Sequence, residues 1–585
     1  MNSPRSTRAR LALTMIIVFA VVAVFAVRLV DIQVVRAGEL SAAAVSNRSI
    51  PLTTYGTRGE ITDRDGVVLA DSVDRFDITV SPKDVKDFDR RTDDGRVAVT
   101  VKDALAEIGK LTGQTVAELE AAVAVDPASN FGYLTKGVKL DVFTAVRDLD
   151  IPWIFNELRP SRTYPNGAIA GNLVGFIGTD GPQAGIELSE KACLGSTNGT
   201  STYERGADGV RIPGSTVTTT EPTDGGTVRL TIDRDLQWYV QEALETQALA
   251  VGADWATAMV VRVSDGHLMS VADYPTVDPN DVSAAQRTAL GSLAFSSPYE
   301  PGSTFKPMTV AALLDAGAIT PNMQLTVPGH YPVGGAIISD SWGHGDLRFT
   351  TGGIIMNSSN VGISLLSERL DAQARHDYMV KFGIGKPTEV NFYGESGGVL
   401  RDAAKWDPIT DKTVMFGQGV SATSAQVASI YQTLGNGGVR MPLTLVEGCE
   451  RADGSVTGVP TNEGTRVVSE TAANQTVRMM ETVVTDGWLS KVLTIPGYRV
   501  AAKTGTAEVA AADGSGYSGD RIVSVAGVVP ADDPQYAIVV TIGKPDTIKT
   551  SGAAAPTFQK IMTQVLKKYR VVPSSTPAPP IPLTW

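Results

Sequence analysis

The apolar positions of this chain fall into three textures. Residues 11–27 are an almost unbroken hydrophobic run, continued past Arg28 by Leu29 and Val30. A run of about 20 apolar residues is the length at which a helix crosses a bilayer. Further along, apolar residues recur at helical spacing over 99–111 and 116–125, which predicts two amphipathic helices. Val228-Arg229-Leu230-Thr231-Ile232 alternates like a strand, and residues 236–249 then return to helical spacing. Near the other end, 523–529 and 536–542 are β-rich and joined by Pro530-Ala531-Asp532-Asp533-Pro534-Gln535. That linker is turn chemistry and predicts adjacent antiparallel strands.

At 585 residues the chain exceeds what one core usually organises. The pattern divides it into a cytoplasmic tail (1–10), a transmembrane anchor (11–30), a mixed N-terminal pedestal (49–226), a larger α+β domain (227–570) and a Pro-rich disordered tail (571–585), with the main boundary at Gly225-Gly226. Arg5, Arg8 and Arg10 precede the apolar run, which by the positive-inside rule keeps the N-terminus in the cytoplasm and sends the rest across. Ala42-Ala43-Ala44 lies too far beyond that run for a usual signal-peptide cleavage site, so an uncleaved anchor is expected.

Charge narrows the function. A net charge of -12, with no basic stripe interleaved with aromatics, excludes a nucleic-acid partner. His267, His330, His344 and His376 lack ligand spacing, and Cys193 and Cys449 form no CxxC pair, so neither a metal nor another cofactor is expected. An exported chain could form a disulfide. The two cysteines fall in different assigned domains, however, and are expected to be free, buried thiols.

The candidate chemistry begins at Ser303-Thr304-Phe305-Lys306, which follows Glu300-Pro301-Gly302 and precedes the helix-like run Val310-Ala311-Ala312-Leu313-Leu314. A loop thus delivers Ser303 to a helix start. Residues three apart share a helix face, so the Lys306 amine is expected beside the Ser303 hydroxyl. A serine is a poor nucleophile until a neighbouring base takes its proton. A lysine whose pKa is lowered by burial and nearby positive charge can be that base. Ser-x-x-Lys alone is a weak signal, but Ser358-Ser359-Asn360 and then Lys503-Thr504-Gly505-Thr506 follow in order, the motif order of penicillin-recognising serine enzymes. Ser358 can relay a proton and Asn360 can hold both Lys306 and a substrate peptide. Residues 498–502 read as a strand ahead of Lys503. Gly505 would leave room for a substrate paired along that strand, Lys503 adds positive field, and Thr504 and Thr506 offer hydroxyls for a terminal carboxylate. Singly these are a capping serine, a loop asparagine, a surface lysine and a turn glycine; their joint order favours an active site. A second Ser-x-Asn, Ser196-Thr197-Asn198, precedes the nucleophile in a Gly-rich loop and is set aside as chance.

Beyond these motifs the chain resembles the class B penicillin-binding proteins along almost its whole length. Arg58-Gly59-Glu60-Ile61-Thr62-Asp63-Arg64-Asp65-Gly66, Arg162-x-Tyr164-Pro165-x-Gly167 and Gly185-Ile186-Glu187 resemble pedestal motifs. Asp278-Pro279-Asn280, Phe416-Gly417-Gln418-Gly419 and Ala554-Ala555-Pro556 resemble landmarks of the second half, while Ser551-Gly552 departs from the two glycines of many relatives. The resemblance implies a penicillin-recognising transpeptidase domain with a central antiparallel sheet between helical groups, on a pedestal with one anchor helix. It also implies a reaction. Ser303 would attack the D-Ala-D-Ala carbonyl of a pentapeptide stem, release D-Ala and pass the acyl group to an amine of a neighbouring strand, with the backbone N–H groups of Ser303 and Thr506 as oxyanion hole. β-Lactams would acylate the same serine. Partners implied are peptidoglycan stems, a polytopic membrane glycan polymerase and other divisome proteins.

The septal, cell-division subtype is preferred on texture, with an elongation-type transpeptidase as the alternative. A class D-like β-lactamase or β-lactam sensor usually carries a hydrophobic residue where this chain has Asn360, and an inactive scaffold would carry a broken motif. Glu395 stands at roughly the distance from Ser358 at which class A β-lactamases place a deacylating Glu. Its setting, Tyr393-Gly394-Glu395-Ser396-Gly397-Gly398, lacks the accompanying Leu-Asn, so it is read as a loop residue.

Overall fold

A computed structural model describes residues 4–92, 95–204, 212–511 and 516–585. Two compact units emerge. One holds residues up to Thr57 together with Ser196–Asp224, and the other holds Arg58–Gly195 with Gly225–Trp585. The span 49–226 is therefore shared between them instead of forming one block.

In the first unit the apolar run forms a helix over Pro4–Val30. It continues into a π-helical turn over Asp31–Val35, and the combined segment Arg8–Val35 is long and apolar enough to cross a membrane, with none of its most apolar stretch buried by the protein. Arg28 near its far end pairs with Asp31 at 2.7 Å. A second helix, Ala37–Arg48, leads into the strand Ser49–Thr54, which pairs antiparallel with Gly199–Glu204, itself paired with Val217–Thr220. Asn198 of the discarded Ser-x-Asn accepts a hydrogen bond from the Gly56 backbone at 3.2 Å, a local structural role.

The second unit is built around a five-stranded antiparallel sheet, in the spatial order Leu268–Tyr274, Trp255–Arg262, Tyr536–Gly543, Tyr517–Val529, Ala501–Ala510. The two β-rich runs near the end are neighbours in it, as their linker predicts. Alternate residues enter two cores: Val523, Val525, Ile538 and Val540 face one, and Ala526, Val528, Ala537 and Val539 the other. Both faces are covered, which is why these strands read as continuous apolar runs. The helices Arg234–Val251 and Ala555–Lys568 belong to the first core, while Lys306–Asp315, Ser424–Gly435 and Glu470–Thr485 belong to the second. Ala501–Ala510 is the outer strand, so its far edge is unpaired in this sheet.

Residues 58–195 attach to this body through a six-stranded sheet in which Thr227–Leu230 runs parallel to Ile61–Thr62 and antiparallel to Val446–Glu450. Thr227–Leu230 and the helix after it match the expected strand and helix. A small subdomain packs the predicted helices, observed at Val101–Thr112 and Val116–Ala124, against a three-stranded sheet with Trp153 in its core. Thr100 and Thr115 cap those helices by accepting from Asp103 and Glu118 backbone N–H groups.

The pedestal motifs converge on one buried carboxylate. Glu187, fully buried, accepts from Arg58 at 2.7 Å and from Arg162 at 2.6 Å. Arg162 also donates to the Gly59 carbonyl at 2.7 Å. Two guanidinium groups around one carboxylate supply the charge and hydrogen bonds that make its burial tolerable. Gly59 is required by packing: a Cβ there would lie 1.9 Å from the Gly226 carbonyl oxygen.

Two expectations are overturned here. Cys193 and Cys449 are joined in a disulfide with Cα atoms 5.9 Å apart. Long-range pairing brings them together: Cys449 lies on the strand beside Thr227–Leu230, and Gly226 donates its N–H to the Cys193 carbonyl at 2.8 Å. The Pro-rich tail is not disordered either. Phe349 bridges Thr584, Thr350 N–H donates to the Leu583 carbonyl at 3.1 Å, and Ser574 N–H donates to the Gly497 carbonyl at 3.0 Å. An extended chain needs no core of its own when existing structure satisfies its backbone groups.

Candidate active site

A cleft of about 760 Å³ opens beside the outer strand and is lined by Ser303, Ser358, Asn360, Thr504, Gly505 and Thr506 among others. All eight residues expected from sequence gather here, because the two lysines bond directly to lining residues. Ser303 lies in the 3₁₀ turn Gly302–Phe305 that runs into the helix Lys306–Asp315. The turn is held on both sides. Gly302 N–H donates to the Gly417 carbonyl at 3.0 Å, and the buried Tyr431 hydroxyl donates to the Thr304 carbonyl at 2.9 Å. Gly417 must be glycine, since a Cβ would lie 2.3 Å from the Gly302 carbonyl oxygen and φ is +82°. That contact accounts for the first glycine of Phe416-Gly417-Gln418-Gly419.

Ser358-Ser359-Asn360 is a junction between two helices. Ser358 ends Thr351–Asn357 with a left-handed φ of 57°. Ser359 caps Asn360–Ser367, accepting from the Gly362 backbone at 2.8 Å. A non-glycine residue in that conformation is uncommon and costs about 1–3 kcal/mol, and here it aims the Ser358 carbonyl and hydroxyl at the lysines. Lys306 Nζ donates to the Ser358 carbonyl, to Ser358 Oγ at 3.2 Å and to Asn360 Oδ1 at 2.8 Å. Lys503 Nζ donates to the same Ser358 Oγ at 2.8 Å and to the Thr504 carbonyl at 3.0 Å. The Lys306 amine, expected beside the Ser303 hydroxyl, is held by three acceptors of the Ser-x-Asn motif.

Both lysines are fully buried. Burial, reinforced by the charge of Lys503 and opposed by that of Asp340, pushes Lys306 well below the usual ammonium range. Burial alone lowers Lys503 to about 7. Lys503 can therefore change protonation near neutrality, and Lys306 gives up its proton more readily than an ordinary lysine; Ser358 Oγ, within hydrogen-bond reach of both, can receive a proton from one while giving its own to the other.

Sequence reasoning missed Asp340. Its buried carboxylate accepts from Ser359 Oγ at 2.7 Å and from the Asn360 and Val361 backbone N–H groups at 2.5 and 3.0 Å, and it meets His344 Nε2 at 3.1 Å. It thereby fixes the start of the helix whose first residue is Asn360. An isolated Asp before Ser341-Trp342 carries no motif signal.

Two readings change in detail. The strand bearing Lys503 begins at Ala501 instead of residue 498. A Cβ at Gly505 would meet Ser524 Oγ at 2.5 Å, Thr304 at 3.0 Å and the Pro301 carbonyl at 3.2 Å. The glycine thus admits the nucleophile turn against the strand, a closer constraint than room for a substrate. Glu395 is absent from the cleft lining; it accepts from the Thr388 N–H and hydroxyl at 2.9 and 2.6 Å in its own loop, where burial raises its pKa.

An antiparallel sheet between helices, with a Ser-x-x-Lys turn, a Ser-x-Asn junction and a Lys-Thr-Gly strand around one cleft, defines a penicillin-recognising serine acyltransferase. The chain matches the family described as Penicillin binding protein transpeptidase domain over residues 256–563 and the Penicillin-binding Protein dimerisation domain over 53–230. It is 33% identical to the penicillin-binding protein PbpB of Mycolicibacterium smegmatis, covering 97% of this chain and 91% of that one. It is 32% identical to the peptidoglycan D,D-transpeptidase FtsI of Escherichia coli K12, covering 90% and 86%. Its fold is similar to that of penicillin-binding protein 3 of Mycobacterium tuberculosis complexed with aztreonam, with TM-score 0.69, 27% identity and coverage of 91% and 100%. The chain belongs to the class B penicillin-binding proteins, and these relatives group it with their septal type.

Proposed function

We propose that this protein cross-links peptidoglycan at the septum as a serine D,D-transpeptidase with Ser303 as nucleophile and Lys306 as its base. The observation that carries the assignment is Ser358 Oγ between two buried lysine amines, 3.2 Å from Lys306 and 2.8 Å from Lys503, in the cleft that Ser303 also lines. The neutral Lys306 amine takes the Ser303 proton as Oγ attacks the carbonyl of the penultimate D-Ala. The C–N bond to the terminal D-Ala breaks, and its nitrogen receives a proton relayed through Ser358. An acceptor amine then attacks the resulting ester. The new C–N bond forms, the Ser303 C–O bond breaks, and the proton lost by the amine returns to Ser303. Lys503 supplies positive field, and the hydroxyls of Thr504 and Thr506 meet the terminal carboxylate. The unpaired edge of Ala501–Ala510 suits an extended peptide added as a further strand.

The membrane arrangement is part of the proposal: residues 1–10 in the cytoplasm, the helix across the bilayer and the catalytic domain outside, beside a polytopic glycan polymerase of the divisome. Arginines before the apolar run and a disulfide, a bond favoured in oxidising compartments, support it.

The distinction from a β-lactamase is testable. Glu395 is engaged by Thr388 and stands outside the cleft lining, where it cannot activate a deacylating water, so a fluorescent penicillin bound to the protein should persist for minutes to hours, with nearly the same lifetime in Glu395→Gln. Rapid loss of label, slowed more than about tenfold in Glu395→Gln, would make the protein a hydrolase.

A further inference from the structure

The cleft lining contains a single formally charged side chain among the described residues, and it is an acid: Asp486. It stands at the C-cap of the helix Glu470–Thr485, its N–H donating to the Thr482 carbonyl at 2.9 Å. An acid at this end of a helix adds to the partial negative charge of the terminal carbonyls, a placement that works against helix stability. No ion pair within the protein offsets it among the described residues. Its one side-chain bond there is local, from Thr485 Oγ1 to Oδ2 at 2.6 Å. Two residues on, Trp488 presents its ring to the same cleft with 68% of the residue exposed, an unusual exposure for so large an apolar group. A carboxylate, the negative end of a helix and an open indole face all favour the same ligand, an organic ammonium.

We infer that Asp486, the C-terminal carbonyls of its helix and the Trp488 ring form a subsite for an ammonium group carried by a stem peptide. The inference rests on the reading that this cleft performs the transpeptidation. It adds a specificity determinant to a site whose recognised polar groups, Lys503, Thr504 and Thr506, are suited to the anionic end of the donor. Two stems enter the cleft, and either can carry the cation: the donor on a basic side chain, or the acceptor on the amine that will attack. In both cases Asp486 gathers the positively charged form at the rim, and its influence is greatest at low salt.

The test uses the full chain in detergent, with Asp486→Asn, which removes the charge at nearly constant size, and Asp486→Glu, which restores it. The donor arm compares L-Lys-D-Ala-D-Ala with a free and with an acetylated side-chain amine. The acceptor arm acylates the enzyme with a D-alanyl thioester that has no amine and titrates in a free-amine acceptor. The subsite predicts that Asp486→Asn lowers the free-over-acetylated ratio of kcat/KM, or raises the acceptor concentration for half-maximal aminolysis, by about fivefold. Asp486→Glu and Trp488→Ala should then respectively restore and partly reproduce the change. A change in the first arm alone assigns the cation to the donor, and one in the second alone to the acceptor. Parent-like values for Asp486→Asn in both arms overturn the inference. Failure of the parent protein to acylate at Ser303 would instead overturn the transpeptidase reading beneath it.

Discussion

Two buried lysines share one hydroxyl, and their different pKa values assign them different work. Lys306, held well below the usual ammonium range by burial and by the neighbouring cation, is disposed to give up its proton and so to accept that of Ser303. Lys503, lowered to about 7, carries its charge only below that pH. The signs follow: acidification protonates Lys306 and removes the base, while raising the pH through about 7 discharges Lys503 and removes the field. The second-order rate of acylation by benzylpenicillin, followed from about pH 5 to about pH 10, should therefore be bell-shaped with its alkaline limb beginning near 7. A rate that stays level above that point would remove Lys503 from its role. At this scale the sequence was highly informative, since all eight predicted residues meet at the cleft. It anticipated that Asn360 would hold Lys306, but not that the Ser358 backbone carbonyl would accept from the same amine or that Asp340 would organise that junction. Those two facts depend on contacts across 52 and 20 residues that no local motif encodes.

At the scale of elements, periodic segments such as the helix after Thr115 and the paired strands Tyr517–Val529 and Tyr536–Gly543 were legible, because their pattern and their end signals agree. The Cys193–Cys449 bond was not. Its halves lie 256 residues apart, and they meet through the antiparallel pairing of Val446–Glu450 with Thr227–Leu230 and the backbone bond from Gly226 to Cys193. The Pro-rich tail escaped for a related reason: it has no periodicity, and its order comes from the strand Leu347–Thr350 and the loop near Gly497. A crosslink closing so long a loop restrains the unfolded chain strongly. Replacing both cysteines by alanine should cost about 2–4 kcal/mol and lower the unfolding temperature by several degrees in a calorimetric scan. An unchanged transition would mean that the sheet around Cys449 holds without the crosslink.

For the whole molecule, one exposed apolar helix and a catalytic body define the arrangement to be tested. In intact spheroplasts, added protease should digest the chain beyond about residue 31, because the arginines hold the N-terminus inside. A protected catalytic domain would contradict that orientation. The central claim is more specific, that one serine in the cleft is the nucleophile. Because a strained lactam reproduces the D-Ala-D-Ala bond, intact-protein mass spectrometry after exposure to benzylpenicillin should show one penicilloyl adduct, mapped to Ser303. In Ser303→Ala the adduct should be absent while the fold persists. Stoichiometric labelling of that variant, or an adduct mapped to another residue, would contradict the account.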